Sequence, residues 1–161
     1  MIDINKIKLF VFDFDGVLTD NKFYLNEKGI ESVKLSRSDG LAFDMLHSLK
    51  KRIIILSSEK NPIVSMRSKK LNVEALYGVK NKEETLRNYC NNNKLLLDDV
   101  FYVGNDVNDL KAMMLCGYRA CPKDSHDKIK QISLYCLQSL GGDGVIREMV
   151  EDLFGLEVNM L

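Results

Sequence analysis

Short apolar runs alternate along this chain with stretches whose apolar residues recur every three or four positions. The runs at 8–13, 53–57, 75–77, 100–104, 118–121 and 134–137 have the length and residue types of strands, and the first is apolar up to its end. Helical spacing covers 40–50, 61–71, 82–93, 106–115, 124–131 and 144–154. Start signals agree: Asp39 precedes GLAFDML, Pro62 follows Asn61, and Asn81 precedes KEETL with Glu84 three residues on. Gly117, after LKAMMLC, reads as a helix stop. This alternation predicts βαβ units and an α/β fold on a parallel central sheet. Between Asp20 and Asp39, Phe23, Tyr24 and Leu25 face Ile30, Val33 and Leu35 across NEKG, which predicts a β-hairpin at about 21–36.

The pattern is broken at IKLFVFDFDGVLTD, residues 7 to 20. Aspartate is disfavoured in strands, yet Asp13 and Asp15 follow directly on an apolar strand, and such local violations mark functional sites. Residues i and i+2 of an extended chain point to one side, so both carboxylates can face one small volume. In an open parallel sheet the carboxyl ends of the strands are where ligands bind. Two like charges this close raise each other's pKa unless a cation neutralises them. Hard oxygen ligands suit Mg²⁺, which takes one or two carboxylates together with substrate phosphate oxygens. One carboxylate can then attack phosphorus while the other moves a proton. A plain turn assisted by Gly16 would leave the strand before it and GVLTD after it unexplained.

Composition narrows the partners. At 161 residues and 45% apolar content the chain is expected to be a single domain over 1–161. Lys plus Arg and Asp plus Glu are 23 each, so no global field favours nucleic acid or an anionic membrane, and neither is expected as a partner. MIDINKIKLF has no long apolar stretch, and no run approaches the ~20 residues that span a bilayer, which makes a cytoplasmic protein the expectation. Cys90, Cys116, Cys121 and Cys136 lack metal-ligand spacing and are expected to be buried free thiols. His47 and His126 lie beside no nucleophile motif, and structural or surface roles are expected for both.

The string DFDGVLTD closely resembles the first motif of the haloacid dehalogenase superfamily of aspartate-nucleophile phosphatases. The remaining motifs follow in order. The strand RIIIL ends at Ser57, whose match implies a hydroxyl and amide that bind the transferring phosphoryl group. In YGVKNKEETL the expected lysine falls on Lys82 rather than Lys80; a cation at a helix start opposes the macrodipole, so a bound anion would account for it. In VGNDVNDLKAM, Asn105 stands where related chains usually carry aspartate. An amide oxygen can ligate Mg²⁺ but brings no charge. The resemblance implies a metal site of Asp13, the Asp15 backbone carbonyl and Asn105, supported by Asp106 and Asp109. It also implies a Rossmann-like three-layer sandwich with the hairpin as a flap in place of a cap domain. Asp13 would be the nucleophile and Asp15 the acid and base.

Order and spacing are most similar to the capless subclass that acts on sugar-acid phosphates. GGDGVIREMVEDLFG is similar to its GGxGxxRE tail, here about 141–161, matching Gly141, Gly142, Gly144, Arg147 and Glu148. The subclass implies a homotetramer in which a neighbouring subunit covers the site. Arg147 would then meet the sugar-acid carboxylate, or else pair with Glu151 on its own helix. The loop SSEK, continuing PIVSMRSKKL, is similar to the branch acting on nonulosonate (sialic-acid-like) 9-phosphates. That implies substrate contacts from Ser58, Glu59, Arg67 and Lys70, the last two sharing one helix face. Two alternatives stand beside it: a phosphatase of octulosonate 8-phosphates, and a non-catalytic oligomerisation module associated with a cytidylyltransferase.

Overall fold

The computed structural model describes residues 2–157, so the last part of the expected tail, 158–161, lies outside the described residues. Among the described residues eight strands run in chain order: β1 (Leu9–Phe12), β2 (Thr19–Leu25), β3 (Glu31–Leu35), β4 (Arg52–Leu56), β5 (Glu74–Leu76), β6 (Val100–Val103), β7 (Tyr118–Cys121) and β8 (Tyr135–Cys136). Six form a parallel sheet in the order β5-β4-β1-β6-β7-β8, and β2 pairs antiparallel with β3 apart from it. The helices are α1 (Ser38–Ser48), α2 (Ile63–Leu71), α3 (Lys82–Asn92), α4 (Leu110–Leu115), α5 (Asp127–Ile132) and α6 (Val145–Glu148).

Strand β1 explains the three layers. All four of its side chains are fully buried, and they alternate between two cores. Phe10 and Phe12 pack with Phe43 and Leu46 of α1, Val64 of α2 and Ile146 of α6. Leu9 and Val11 pack with Leu86 of α3, Met113 of α4 and Ile129 of α5. Each such side chain contributes roughly 1.5–3 kcal/mol by leaving water. Strand order reverses at β1, between β4 and β6, so a crevice opens at its carboxyl end, where Asp13 begins.

Between β1 and α1 lie the short first-motif loop at 14–18 and then the hairpin. Its turn is closed by the Asn26 side chain, which accepts the N–H groups of Lys28 and Ile30, with Gly29 at φ +74°. Val33 and Leu35 rest on the core, while Tyr24 remains 77% exposed.

Several start and stop signals resolve differently from the sequence expectation. Asp39 does not cap α1; it lies in that helix's first turn, and its carboxylate accepts the N–H groups of Ile146 (2.9 Å) and Arg147 (3.1 Å), capping α6 instead. Gly117 does follow α4, but not in the left-handed conformation; a Cβ there would collide with the Asp98 carbonyl, so close approach sets the glycine. The expected helix 106–115 begins only at Leu110, because the Asp109 carboxylate turns back to accept the N–H groups of Asn105 and Asp106. Helix α5 starts at Asp127 with the His126 ring accepting from Lys128 N–H, and His47 meets the Leu71 carbonyl; both histidines hold backbone. Cys136 is exposed, unlike the other three cysteines, and all four are free.

The glycine-rich tail packs directly on the first-motif loop. Gly142 N–H donates to the Val17 carbonyl at 3.0 Å. A Cβ on Gly142, which also has φ +72°, would lie 2.6 Å from Asp20 N, and one on Gly141 would strike the Gly16 carbonyl. Glu148 then accepts the N–H groups of Gln138 and Ser139, each at 2.6 Å. No helix among the described residues is long and apolar enough to cross a membrane.

Burial raises the Asp39 carboxyl to about 6, against the pull of its two backbone donors and of Arg67. The folded state therefore holds this proton more tightly than the unfolded chain does. Stability contributed by this group declines as pH rises from about 4 to about 6, by about 3 kcal/mol. Asp39→Asn keeps a capping oxygen and should flatten that part of the profile, as read by urea unfolding at stepped pH; an unaltered slope would contradict this assignment.

Candidate active site

At the carboxyl end of β1 the backbone leaves the sheet in an extended step at Asp13 and turns at Gly16, φ +80°. Asp13 Oδ1 accepts the N–H of Phe14 at 2.7 Å and lies 2.7 Å from Lys82 Nζ. No hydrogen bond among the described residues reaches its Oδ2, and Asp13 lines the cavity in front. Lys82, the first residue of α3 and only 3% exposed, also contacts Asp109 Oδ1 at 2.7 Å. Asp109 is fully buried and fully used: Lys82 and the Tyr102 hydroxyl (2.8 Å) on Oδ1, the N–H groups of Asn105 and Asp106 on Oδ2. Asp109, expected to support a metal, is thus placed behind the site as the brace for Lys82.

These contacts set the electrostatics. Burial pushes the Asp13 carboxyl well above the usual range, the Asp109 charge adds to it, and Lys82 pulls it back. Burial by itself would lower Lys82, but Asp13 and Asp109 more than reverse this, so the ammonium is held charged. Burial also raises Asp15, with Glu59 adding to it. The Thr19 hydroxyl, which reaches Asp15 Oδ1 at 3.4 Å, works in the opposite sense.

Asp13, Asp15, Ser57, Ser58, Glu59, Asn105 and Asp106 line one cavity of about 310 Å³, so the structure brings these sequence-selected residues together. Ser57 sits at the end of β4, 1% exposed, with its oxygen accepting Glu59 N–H at 3.0 Å. Asn105 is pressed against Gly16, where a Cβ would collide with its carboxamide, and Gly104 makes the same room for Asp109. Asn105 Oδ1 is buried with no hydrogen-bond partner. An orphaned amide oxygen next to a carboxylate of raised pKa fits a hard cation, and this is the feature of the site that a Mg²⁺ ion would satisfy. Among the described residues no cluster of three His, Cys, Asp or Glu side chains is set for a metal, so such a site must mix carboxylate, amide and backbone oxygens.

Other expected contacts lie elsewhere. Arg67 and Lys70 line a separate groove of about 340 Å³ beside Arg37 and Asp44, and Arg67 donates to the Ser36 carbonyl at 3.0 Å. Arg147 Nε lies 2.6 Å from Glu151, a charge contact lacking hydrogen-bond alignment, and not in the cavity. Within one chain these three cations do not join the site. Sequence reading missed Tyr102, Asn21 and Asn108. For Tyr102 the available signal was a lone hydroxyl in the apolar strand VFYVG; Asn21 lines the cavity from β2 and Asn108 from the turn before α4, and neither gave a signal.

A parallel three-layer sheet whose switch point holds a lysine-braced aspartate, a buried serine and an orphaned amide oxygen is the fold and site of an α/β phosphatase. The chain belongs to the haloacid dehalogenase-like hydrolases, whose family model matches residues 46–149 and so takes in Ser57, Lys82 and Asn105. A solved HAD family hydrolase from Streptomyces avermitilis is 34% identical, with TM-score 0.95, covering 100% of this chain and 92% of that one. The 3-deoxy-D-manno-octulosonate 8-phosphate phosphatase of Haemophilus influenzae is 28% identical over 91% of this chain and 82% of its own length. The enzyme of that name from Moraxella catarrhalis, solved with magnesium, phosphate and KDO, is 27% identical at TM-score 0.90, covering 94% and 88%.

Lys82→Met should leave two carboxylates buried without their cation. Breaking a buried pair costs about 3–5 kcal/mol. We expect that loss in urea unfolding with EDTA present, and phosphate release below a hundredth of wild type with Mg²⁺. Wild-type stability would contradict the brace.

Proposed function

We propose that this chain hydrolyses the phosphate monoester of a sugar acid in a Mg²⁺-dependent reaction through an aspartyl-phosphate. The observation that carries this reading is the Asp13–Lys82–Asp109 triad set behind a cavity lined by Asn105, whose buried amide oxygen has no hydrogen-bond partner. Asp13, the carbonyl of Asp15 and Asn105 would hold the metal, with Asp106 on the cavity wall in support. When bound, Mg²⁺ neutralises charge on the phosphoryl oxygens and keeps Asp13 ionised.

Asp13 attacks phosphorus and the ester P–O bond breaks. The raised Asp15 carboxyl delivers its proton to the departing alkoxide. Asp15, now a carboxylate, takes a proton from the water that attacks the aspartyl-phosphate, releasing inorganic phosphate and restoring Asp13. Lys82 and the Ser57 hydroxyl stabilise the equatorial oxygens, and in phosphoryl transfer such positioned charge supplies most of the catalysis.

For the sugar, the Ser57-Ser58-Glu59-Lys60 loop supports a nonulosonate 9-phosphate. The relatives named above support a second reading, an octulosonate 8-phosphate. Arg67, Lys70 and Arg147 do not line the cavity of their own chain, so any contact with the sugar acid would come from a neighbouring subunit of a homotetramer.

The test is phosphate release from both sugar-acid phosphates and an aryl phosphate, with Mg²⁺ and with EDTA. Metal-dependent preference for a sugar acid, lost in Asp13→Asn and reduced at least a hundredfold in Asp15→Asn, supports the reading. Aryl phosphate turnover that exceeds both sugar acids would reject the substrate class, and ordinary turnover by Asp13→Asn would reject the mechanism.

A further inference from the structure

Four non-glycine residues have left-handed backbones among the described residues: Asn21, Lys50, Asn72 and Lys94. Three of them close helices. Asn72 caps α2, and Lys50 and Lys94 follow the last turns of α1 and α3, where a left-handed residue is ordinary. Asn21 is different. It has φ +61° inside strand β2, at the register shift between Thr19 and Phe23, where the flap leaves the catalytic loop. Asn tolerates this backbone better than most residues, and here it turns the chain where the flap meets the loop after β1.

Asn21 is also tied to the catalytic carboxyl. Its N–H donates to Thr19 Oγ1 at 3.2 Å, and the same hydroxyl donates to Asp15 Oδ1 at 3.4 Å. Asn21 lines both the catalytic cavity and a second one of about 210 Å³ that opens beside it beneath the flap. The two cavities share Asp15, Asn21 and Glu59, so their junction is where the bond between phosphate and leaving group must lie. The second cavity carries Glu31, Glu59 and Asn61, and Asn61 Nδ2 donates to Glu31 Oε2 at 3.1 Å, bridging the flap to the loop after β4. Glu31 and Glu59 accept from hydroxyl groups, Asn61 carries both a donor and an acceptor, and Lys22 adds a donor on the same wall. The neighbourhood of the ester, with donors and acceptors close together, therefore suits a polyhydroxylated chain.

Building on the phosphatase reading above, we propose that Asn21 is a specificity-determining residue, whose carboxamide pairs with the hydroxyl on the carbon next to the phosphate ester. A carboxamide offers both a donor and an acceptor, which is what a hydroxyl needs to satisfy both of its roles. A site that pairs a substrate hydroxyl discriminates against the analogue that lacks it.

The experiment uses the full chain with Mg²⁺ and two esters that differ only in hydroxyl groups, sn-glycerol 3-phosphate and n-propyl phosphate, beside octulosonate 8-phosphate. Wild type should favour glycerol phosphate over propyl phosphate about tenfold in kcat/KM. In Asn21→Gly that ratio should fall to near one. Glycine adopts the left-handed backbone without strain, so the melting temperature should hold or rise, which separates lost recognition from lost folding. A ratio unchanged in Asn21→Gly overturns the assignment while leaving the phosphatase reading intact. Absence of turnover of all three esters by wild type overturns both.

Discussion

Everything at the site depends on one buried arrangement: the ammonium of Lys82, 2.7 Å from each of two carboxylates, with almost no solvent to screen it. Two negative charges and one positive leave a deficit of one in a region of low dielectric, where an uncompensated charge is costly. The protein answers from behind with the Tyr102 hydroxyl and the N–H groups of Asn105 and Asp106, all aimed at Asp109. Among the described residues no hydrogen bond reaches Asp13 Oδ2, and the buried Asn105 amide oxygen has no partner. A cation there would complete the arrangement, and this is the physical ground on which magnesium is proposed.

That arrangement explains otherwise scattered features of the fold. Lys82 must arrive from the start of α3, Asp109 from the turn after β6 and Asp13 from the end of β1, and only a sheet with β1 at its switch point brings these ends to one place. Close approach of backbones does the rest. Gly16 yields to the Asn105 side chain, Gly104 to Asp109, and Gly141 and Gly142 to the backbone of the first-motif loop. The carboxyl-terminal glycine turn therefore acts as a clamp on the first-motif loop, fixed in turn by Asp39 through the start of α6.

The strands and most helices were legible because each buries a periodic apolar face, and their observed limits fall within a few residues of the expected ones. Asp13 and Asp15 were legible because they violate strand propensity where a sheet ends. What the chain hid was long-range. Asp39 looks like the cap of its own helix, yet it caps one more than a hundred residues away, since nothing in a local window distinguishes the two. Asp109 looks like one more carboxylate for a metal; only the fold reveals that its oxygens turn inward to Lys82, Tyr102 and two backbone donors. Arg67, Lys70 and Arg147 were selected by resemblance and helical spacing, which say nothing about the direction in which a helix face points.

The most direct test of the central claim, covalent phosphoryl transfer to Asp13, is chemical trapping. Protein mixed with Mg²⁺ and octulosonate 8-phosphate or nonulosonate 9-phosphate is quenched within milliseconds and reduced with borohydride, which converts an aspartyl-phosphate to homoserine. Peptide mass spectrometry should then find homoserine at position 13, dependent on substrate and metal. Phosphate release with residue 13 still aspartate, or homoserine at another carboxylate, would contradict it.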